Sequence, residues 1–295
     1  MYNYLLSTNM MKRLLSDTIS TVSNKFVKHR PMDVEAFYHP LVMIFEKLDL
    51  KDLINLELVS KKFREIVRKN KWSNLIIRFS RFDIIQYVLK NYLFANYDFT
   101  YSNISKTHLQ YLEHCWFINI KYNDKLTDSW LSYFQNCRTI NLSGCSYITN
   151  NGLKFITKCT NIALSNCQNI SNNGLKYLSG CRSINLSNCH KITDNGLKYL
   201  ANCDEIYLTN CNITNAGLIH LKKCHTIFLD GCNMITDDGL KYLSECGIIN
   251  LSCCKNITGD GMISLRNCKI LYLIKCPHIT NEIKANLRET GKLVF

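Results

Sequence analysis

The stretch CRSINLSNCHKITDNGLKYLANC, residues 181–203, is one copy of a motif that repeats along most of this 295-residue chain. Clear copies lie 22 residues apart, except for one interval of 21, and start at Cys137, Cys159, Cys181, Cys203, Cys224, Cys246 and Cys268. Weaker copies start at Phe94 and Cys115. A last partial copy places Leu293 and Phe295 in the two apolar strand positions. We therefore count ten units, because self-similarity at a fixed period indicates a repeat architecture.

Each unit contains the pattern of one short strand and one short helix. In the copy that starts at Cys181, Ile184 and Leu186 alternate with polar residues, as in a strand with one buried face. Leu197 and Leu200 are three residues apart, as on the buried face of a helix. A Thr or Ser precedes this helix in the clear copies and predicts an N-cap. One such unit cannot bury its own apolar face, so neighbouring units must stack.

The stack is expected to curve, because neighbouring strands lie about 4.8 Å apart, whereas neighbouring helices need roughly 8–10 Å. This 22-residue repeat resembles the leucine-rich repeat, and within it the cysteine-containing subfamily. The resemblance implies an α/β fold, a curved leucine-rich-repeat solenoid with parallel strands on the concave side and short helices on the convex side. We assign residues 81–295 to this solenoid, as about ten units of 22 residues.

All 16 cysteines lie between Cys115 and Cys276 and follow the repeat. Within the leucine-rich pattern the first cysteine of a unit replaces a leucine, and the second occupies a position held by Asn or Cys. We therefore expect both to be buried packing residues, with the second meeting backbone groups. A zinc site would need closer pairs such as C-x-x-C, and disulfides would need an oxidising compartment. We predict no metal and no cofactor, and we expect Cys253, which lies outside both columns, to face the concave surface.

A different module precedes the repeats at residues 34–80, after a leader at residues 1–33 that we expect to be poorly ordered. Its segment IFEKLDLKDLINLELVSKKFREIVRKNKW, residues 44–72, resembles the F-box motif. One departure lies at its start, where Ala36 and Phe37 replace the usual Leu-Pro pair and a proline follows at Pro40.

The F-box resemblance implies a small all-α module that docks on the Skp adaptor of cullin-RING ubiquitin ligases. The candidate adaptor-binding residues are Pro40, Ile44, Phe45, Leu48, Leu53, Leu56, Val59 and Ser60. Internal packing is the alternative role for each of them. A helical module this short cannot bury all of these apolar side chains, so some of them should be exposed or packed against a partner.

The residues that flank the buried strand positions should point to the concave face. They are small and polar in the middle repeats, and aromatic or aliphatic in the last third of the chain. Exposed apolar residues on one face have the composition of an interface hot spot. We therefore predict a client-binding patch formed by Tyr207, Phe228, Ile248, Ile270, Tyr272 and Ile274. The alternatives are packing against a partner chain and a merely tolerated surface.

The composition excludes several classes of protein. The chain is 46% hydrophobic with a net charge of +13, and no apolar stretch approaches 18 residues, so we expect no membrane contact. The positive charge is spread along the chain, which disfavours nucleic acid as a partner. A basic column at Lys154, Lys176, Lys198 and Lys241 is expected to be a solvated helix face, with an acidic partner or RNA as the alternative. The chain lacks H-E-x-x-H, G-x-S-x-G and phosphate-loop motifs, which predicts a non-catalytic protein.

The sequence therefore predicts the substrate-recognition subunit of an SCF-type (Skp–cullin–F-box) E3 ubiquitin ligase. Its F-box would dock the Skp adaptor of the cullin ligase core, and its concave face would bind an unknown protein client. The alternative is a non-catalytic leucine-rich-repeat scaffold or inhibitor that sequesters a protein partner without ubiquitination. We expect the protein in the cytoplasm, with the nucleus as a second compartment. The abundance of Asn, Lys, Ile and Tyr is typical of an AT-rich genome, such as that of a giant virus or a protist, and a viral protein would act in the host cytoplasm.

Overall fold

A computed structural model describes residues 53–295 apart from 54, 59, 73–74, 80–84, 101, 103 and 266. The chain divides into two compact units between Leu75 and Ile76.

The described part of the first unit contains a nine-residue helix, α1 (Lys61–Lys69). Ser60 caps this helix, because its hydroxyl oxygen accepts a hydrogen bond from the backbone N–H of Phe63 at 3.1 Å. The indole N–H of Trp72 donates to the carbonyl oxygen of Val67 at 2.9 Å. Both Trp72 and Val67 are buried, so a polar bond fixes the end of the helix within an apolar environment.

The second unit is built on a sheet of parallel strands. Within the described residues the sheet has eleven strands in chain order, each paired with the next. They are β1 (Ile76–Arg78), β2 (Asn96–Asp98), β3 (Phe117–Asn119), β4 (Thr139–Asn141), β5 (Asn161–Ala163), β6 (Ser183–Asn185), β7 (Glu205–Tyr207), β8 (Thr226–Phe228), β9 (Ile248–Asn250), β10 (Ile270–Tyr272) and β11 (Leu293–Val294). The predicted leucine-rich-repeat fold is confirmed.

Short helices connect the strands. The α-helices are α2 (Ile85–Asn91), α3 (Asn150–Leu153), α4 (Asn172–Leu175), α5 (Asp194–Leu197), α6 (Asn215–Leu218), α7 (Asp237–Leu240) and α8 (Asn281–Glu289). Turns of 3₁₀-helix cover Lys106–Tyr111, Asp128–Phe134, Lys176–Leu178, Lys198–Leu200, Ile219–Leu221, Lys241–Leu243 and Asp260–Ser264. The buried leucines at spacing three, such as Leu197 and Leu200, lie on these elements as predicted.

The sheet starts earlier than the ten predicted units. Strand β1 pairs with β2 in parallel, with Ile77 opposite Tyr97, and it buries Ile77 and Phe79 in the positions that Ile and Leu fill elsewhere. This strand lies inside residues 34–80, which the sequence assigned to the preceding module. The sequence prediction did not include this strand among the repeats because its unit has no cysteine and is only 20 residues long.

The last unit differs from the prediction by one residue. Val294, not Leu293, lies opposite the buried Leu271 and is itself buried. Leu293 is 59% exposed and Phe295 is 51% exposed, so the prediction that they fill the two buried positions is wrong. The connection is one residue longer because it contains the nine-residue helix α8. A shift of one residue turns every side chain of a strand to the opposite face.

Adjacent repeats are also tied together at the helix starts. The Asp194 carboxylate accepts hydrogen bonds from the backbone N–H and the hydroxyl of Thr214, in the next repeat, at 2.9 and 2.6 Å. The Thr214 hydroxyl oxygen in turn accepts from the backbone N–H of Ala216 at 3.2 Å. The same arrangement, with an aspartate in the repeat before, occurs at Thr149 and Thr258.

In other repeats an asparagine takes the place of this aspartate. The hydrogen bond to the threonine or serine hydroxyl then runs in the opposite direction, because the amide donates it. The Asn172 side-chain amide donates to the Thr193 hydroxyl oxygen at 2.7 Å, and its carbonyl oxygen accepts from the Thr193 backbone N–H at 3.0 Å. Thr193 then makes no side-chain cap bond within its own helix. The same holds for Ser171 and Thr236. The Thr/Ser column predicted as simple N-caps is therefore mainly a bridge between repeats.

The cysteine columns are buried as predicted. Fifteen of the cysteines are buried free thiols, and Cys253 is exposed. In the second column, the Cys189 thiol donates to the carbonyl oxygen of Leu164 in the preceding repeat at 3.0 Å. In the first column, the Cys203 thiol donates to the carbonyl oxygen of Cys181 at 3.2 Å. Burial raises the pKa of Cys189 and of Cys203 to about 12, so these thiols stay neutral and serve packing.

Candidate functional site

One face of the sheet carries the partly exposed residues that flank the buried strand positions, and we call it the open face. On β6, for example, Ser183 and Asn185 are half-buried on this face, whereas Ile184 between them is buried on the other side. Parallel pairing without slips aligns equivalent positions of successive strands into columns, such as Asn185 beside Tyr207. The open face is therefore a set of side-chain columns that cross all the repeats.

Aromatic rings form a ladder along the central column at the C-terminal end. The rings of Tyr207 and Phe228, on β7 and β8, stack with their centroids 4.7 Å apart. Tyr272, on β10, stacks on Phe295 at 5.0 Å. The two pairs approach each other across β9, where the Phe228 and Tyr272 centroids are 6.3 Å apart. We call these four residues the aromatic ladder.

The gap in the ladder is filled by a buried asparagine. Asn250, the central residue of the column on β9, donates from its side-chain amide to the Asp230 carboxylate at 2.7 Å. Its carbonyl oxygen accepts from the backbone N–H of Ser252 at 2.9 Å. Asn250 is buried, and the rings on β8 and β10 approach each other across it.

The six residues predicted for the client-binding patch all lie on or beside this ladder. Ile248 and Ile270 are opposite each other on β9 and β10 and half-buried. Ile274 follows β10 and is 50% exposed. The structure thus places the six residues together, and their role in binding stays a prediction.

Phe295 is a fourth ring that the sequence prediction missed. The one-residue shift of β11 turns it from the buried position expected for it to the central column beside Tyr272. The signal in the sequence was the longer helical segment before it, because an insertion of one residue reverses the two faces of the strand that follows.

Two acidic residues flank the first ring pair. Glu205 lies two residues before Tyr207 on β7, and Asp230 lies two residues after Phe228, so all four side chains are on the open face. Burial, and then the charge of Glu205, raise the pKa of Tyr207. The pair of rings therefore lies in a negative local field.

The predicted adaptor-binding residues are only partly described by the structure. Pro40, Ile44, Phe45, Leu48 and Val59 lie outside the described residues. Leu53 and Leu56 are buried, which agrees with the packing role that the sequence left open for them. Ser60 is exposed and caps α1. Adaptor contact stays a prediction for all eight.

A partly buried ion pair lies next to these residues in the sequence and was not predicted. The Glu57 carboxylate is 6% exposed and accepts hydrogen bonds from Nη2 of Arg68 at 2.9 Å and from its Nε at 3.2 Å. Such a two-point contact is directional and holds the segment before α1 against the helix. Residue spacing alone gives no signal for it, since the partners are 11 residues apart.

The basic column on the helices contacts rings of the same chain. Each lysine lies over the aromatic residue that follows it, at 4.9–5.2 Å from the ring centroid, and the pairs are Lys154–Phe155, Lys176–Tyr177, Lys198–Tyr199 and Lys241–Tyr242. Exposed cation–π contacts of this kind contribute about 0.5–1 kcal/mol each. This arrangement favours a solvated helix face over an RNA-binding stripe.

Within the described part of the chain, no group of three or more His, Cys, Asp or Glu side chains is placed to hold a metal ion. None of the helices the structure describes is long and apolar enough to cross a bilayer.

Family comparisons identify both modules. The family model of the F-box domain matches residues 38–74, and that of the leucine-rich repeat matches residues 182–201. The chain thus combines an F-box domain with leucine-rich repeats, and neither match indicates an enzyme family. A search of curated proteins found no match.

Solved structures show the same repeat fold. An internalin from Listeria monocytogenes is 20% identical with a TM-score of 0.50, over 63% of this chain and 54% of its own. TLR13, in its complex with ssRNA13, is 15% identical with a TM-score of 0.53, over 74% of this chain and 37% of its own. The chain thus spans about half of the internalin and less of TLR13. The yeast Rad7–Elc1 complex also matches, at 11% identity over 98% of this chain and 97% of that one, but its TM-score of 0.48 supports no argument.

Proposed function

We propose that this protein is the substrate-recognition subunit of an SCF-type E3 ubiquitin ligase. The F-box segment would dock the Skp adaptor, and the open face of the repeats would bind the client protein. The observation that carries the proposal is the combination of an F-box domain match with an aromatic ladder on the open face. The protein itself would be a non-catalytic adaptor.

The free thiols support a reducing compartment. All 16 cysteines are unpaired, and fifteen of them are buried in the repeats, where oxidation would disrupt the packing. The cytoplasm and the nucleus are reducing, so we infer that the protein acts in one of these compartments.

Adaptor binding is tested with the full chain and a purified Skp adaptor. Wild-type protein should bind the adaptor in a pull-down and co-elute with it in gel filtration, and Ile44→Asp should weaken this binding because it places a charge among the predicted apolar contacts. Phe228→Ala combined with Tyr272→Ala serves as the matched control, since the open face should not affect adaptor binding. A wild-type chain that fails to bind the adaptor would refute the proposal.

A sequestering scaffold is the second candidate, and one observation favours it. The Leu-Pro pair that usually opens the F-box is replaced by Ala36 and Phe37. Such a protein would hold its client through the same open face without delivering it for ubiquitination. Reconstituted ligase with the captured client separates the two functions, because the scaffold predicts unmodified client whether or not the adaptor is present.

A further inference from the structure

The charges on the open face are unlike those of the protein as a whole. The chain has a net charge of +13. On strands β4 to β9, the open face consists of the first and last residue of each strand and the residue two positions after its end. Among these residues two are charged, and both are acidic: Glu205 and Asp230. They lie on adjacent strands, beside the first two rings of the aromatic ladder. The most negative part of this face therefore coincides with its aromatic surface.

The two carboxylates lie at opposite ends of the Tyr207–Phe228 ring pair. Glu205 precedes Tyr207 on β7, and Asp230 follows Phe228 on β8, while the rings stack between them with centroids 4.7 Å apart. Side chains two residues apart on a strand point to the same side. A side chain laid across the rings would therefore find a carboxylate near each end of the pair.

Neutral groups hold both carboxylates in place. Glu205 accepts from the Ser183 hydroxyl at 3.0 Å. Asp230 accepts from the Asn250 side-chain amide at 2.7 Å and from the Thr209 hydroxyl at 3.3 Å. Across the residues that the structure describes, no Lys, Arg or His nitrogen lies within 4.0 Å of either carboxylate. The carboxylates are fixed by hydrogen bonds, and none of the cationic side chains that the structure describes pairs with their charges.

We propose that this surface of rings and carboxylates binds an arginine or lysine side chain of the client, next to apolar client residues that lie on the rest of the ladder. A guanidinium or ammonium group makes charge-assisted hydrogen bonds to carboxylates, while its aliphatic stem packs on the apolar surface of the rings. The partner is thus a protein segment in which a basic residue adjoins aliphatic or aromatic residues. The inference rests on the proposed function, because it specifies what the client-binding face recognises.

The first experiment selects binders without assuming the client. A phage library of random dodecapeptides is panned on the full-length chain and, in parallel, on Glu205→Gln/Asp230→Asn, which keeps the shape of both side chains. Peptides enriched on wild type should contain Arg or Lys beside apolar residues, and the basic residue should lose its enrichment on the double variant. Enrichment of peptides without basic residues, or no enrichment at all, would overturn the proposal.

A synthetic peptide then measures how much the positive charge contributes to the binding affinity. The best enriched peptide is compared with a copy in which citrulline replaces the arginine, by fluorescence anisotropy on each protein. Loss of a charge-assisted hydrogen bond should weaken binding about tenfold, and citrulline should bind wild type and Glu205→Gln/Asp230→Asn equally. Asp238→Asn/Glu245→Gln is the matched control, since it makes the same charge change at exposed positions away from the open face. Equal affinity of the arginine and citrulline peptides for wild type contradicts the proposal.

The outcomes separate this inference from the proposed function. A chain that binds the Skp adaptor but selects no basic peptides supports the ligase function and refutes the proposed binding of an arginine or lysine side chain. A chain that selects basic peptides but does not bind the adaptor refutes the ligase function, and the surface is then part of a sequestering scaffold.

Discussion

Replacement of Gly196 by alanine tests whether the contacts between helix starts stabilise the repeats. A Cβ at Gly196 would lie 2.5 Å from Oδ1 of Asn172 and 2.9 Å from Cδ1 of Leu175, both in the preceding repeat. These distances are shorter than side-chain contacts allow, so the Asn172 side chain must move. Its two hydrogen bonds to Thr193 would then be lost or distorted.

Two effects of opposite sign compete in this variant. Alanine in place of glycine in a helix favours folding by up to about 1 kcal/mol. Two lost hydrogen bonds cost about 0.5–1.5 kcal/mol each, and overpacking adds roughly 1–3 kcal/mol. The destabilising effects should exceed the gain in helix propensity, so Gly196→Ala is expected to lower the free energy of unfolding by about 1–6 kcal/mol.

Urea unfolding followed by circular dichroism measures this change, with the slope of the transition checked for two-state behaviour. Gly180→Ala is the matched control, because a Cβ there would meet a single atom, at 4.0 Å, and no loss of stability is expected. Adding Asn172→Ala to Gly196→Ala removes the closer of the two clashes, so the pair should cost less than the sum of the single variants. A Gly196→Ala chain as stable as wild type would refute the steric argument.

Three further predictions concern the thiols and the caps. Cys253 is the exposed thiol, so native protein treated with N-ethylmaleimide should be modified first at this position by peptide mass spectrometry; even labelling of the buried thiols contradicts this. Burial raises the pKa of Cys189 to about 12. Folded thiols therefore keep protons that unfolded thiols lose near their ordinary pKa of about 8.5, and the urea midpoint under reducing conditions should fall as the pH rises above that value; a flat profile contradicts it. Asn172→Asp should let the Thr193 hydroxyl donate to the carboxylate and accept from the Asn195 N–H, which raises the free energy of unfolding by about 0.5–1 kcal/mol; an unchanged urea midpoint contradicts it.

The repeat fold could be predicted from the sequence because several columns of residues agree on one register. Ile184, Leu186, Cys189 and Leu197 each recur at the same interval, so an error at one column would be corrected by the others. The ends of the sheet lack this redundancy. Strand β1 has its two apolar residues but no cysteine, and β11 follows a helix of different length, so one strand was missed and another was shifted by one residue.

The contacts between repeats could not be predicted in the same way. Whether the Thr193 hydroxyl donates or accepts depends on the residue 21 positions earlier, Asn172 in this case. The pattern within a unit identifies Thr193 as a cap but not its partner. Similarly, the sequence pattern predicted that Tyr207, Phe228 and Tyr272 share one face. It did not predict that the rings approach each other across β9, where the Asn250 side chain is buried and bonded to Asp230.

The aromatic ladder stands where several other repeats have asparagine in the central column, although Ala163 on β5 also lacks this side chain. In the central column, Asn141, Asn185 and Asn250 each accept a hydrogen bond from the backbone N–H two residues later, at 2.9–3.0 Å, and so fix the turn after the strand. Phe228 has no acceptor, and the Tyr207 hydroxyl is at the far end of its ring, so neither can make this bond.

This replacement costs stability that ring stacking offsets only in part. Each lost hydrogen bond is worth about 0.5–1.5 kcal/mol, and a stacked ring pair returns about 0.5–1.5 kcal/mol, shared between two strands. A single aromatic residue in this column would gain no stacking at all, so the ladder is stable only as a set. Positions that lack a stabilising contact found at equivalent positions, without full compensation, are expected at functional sites. The presence of rings instead of asparagine at Tyr207 and Phe228 therefore agrees with the client-binding role predicted for them, which stays a prediction.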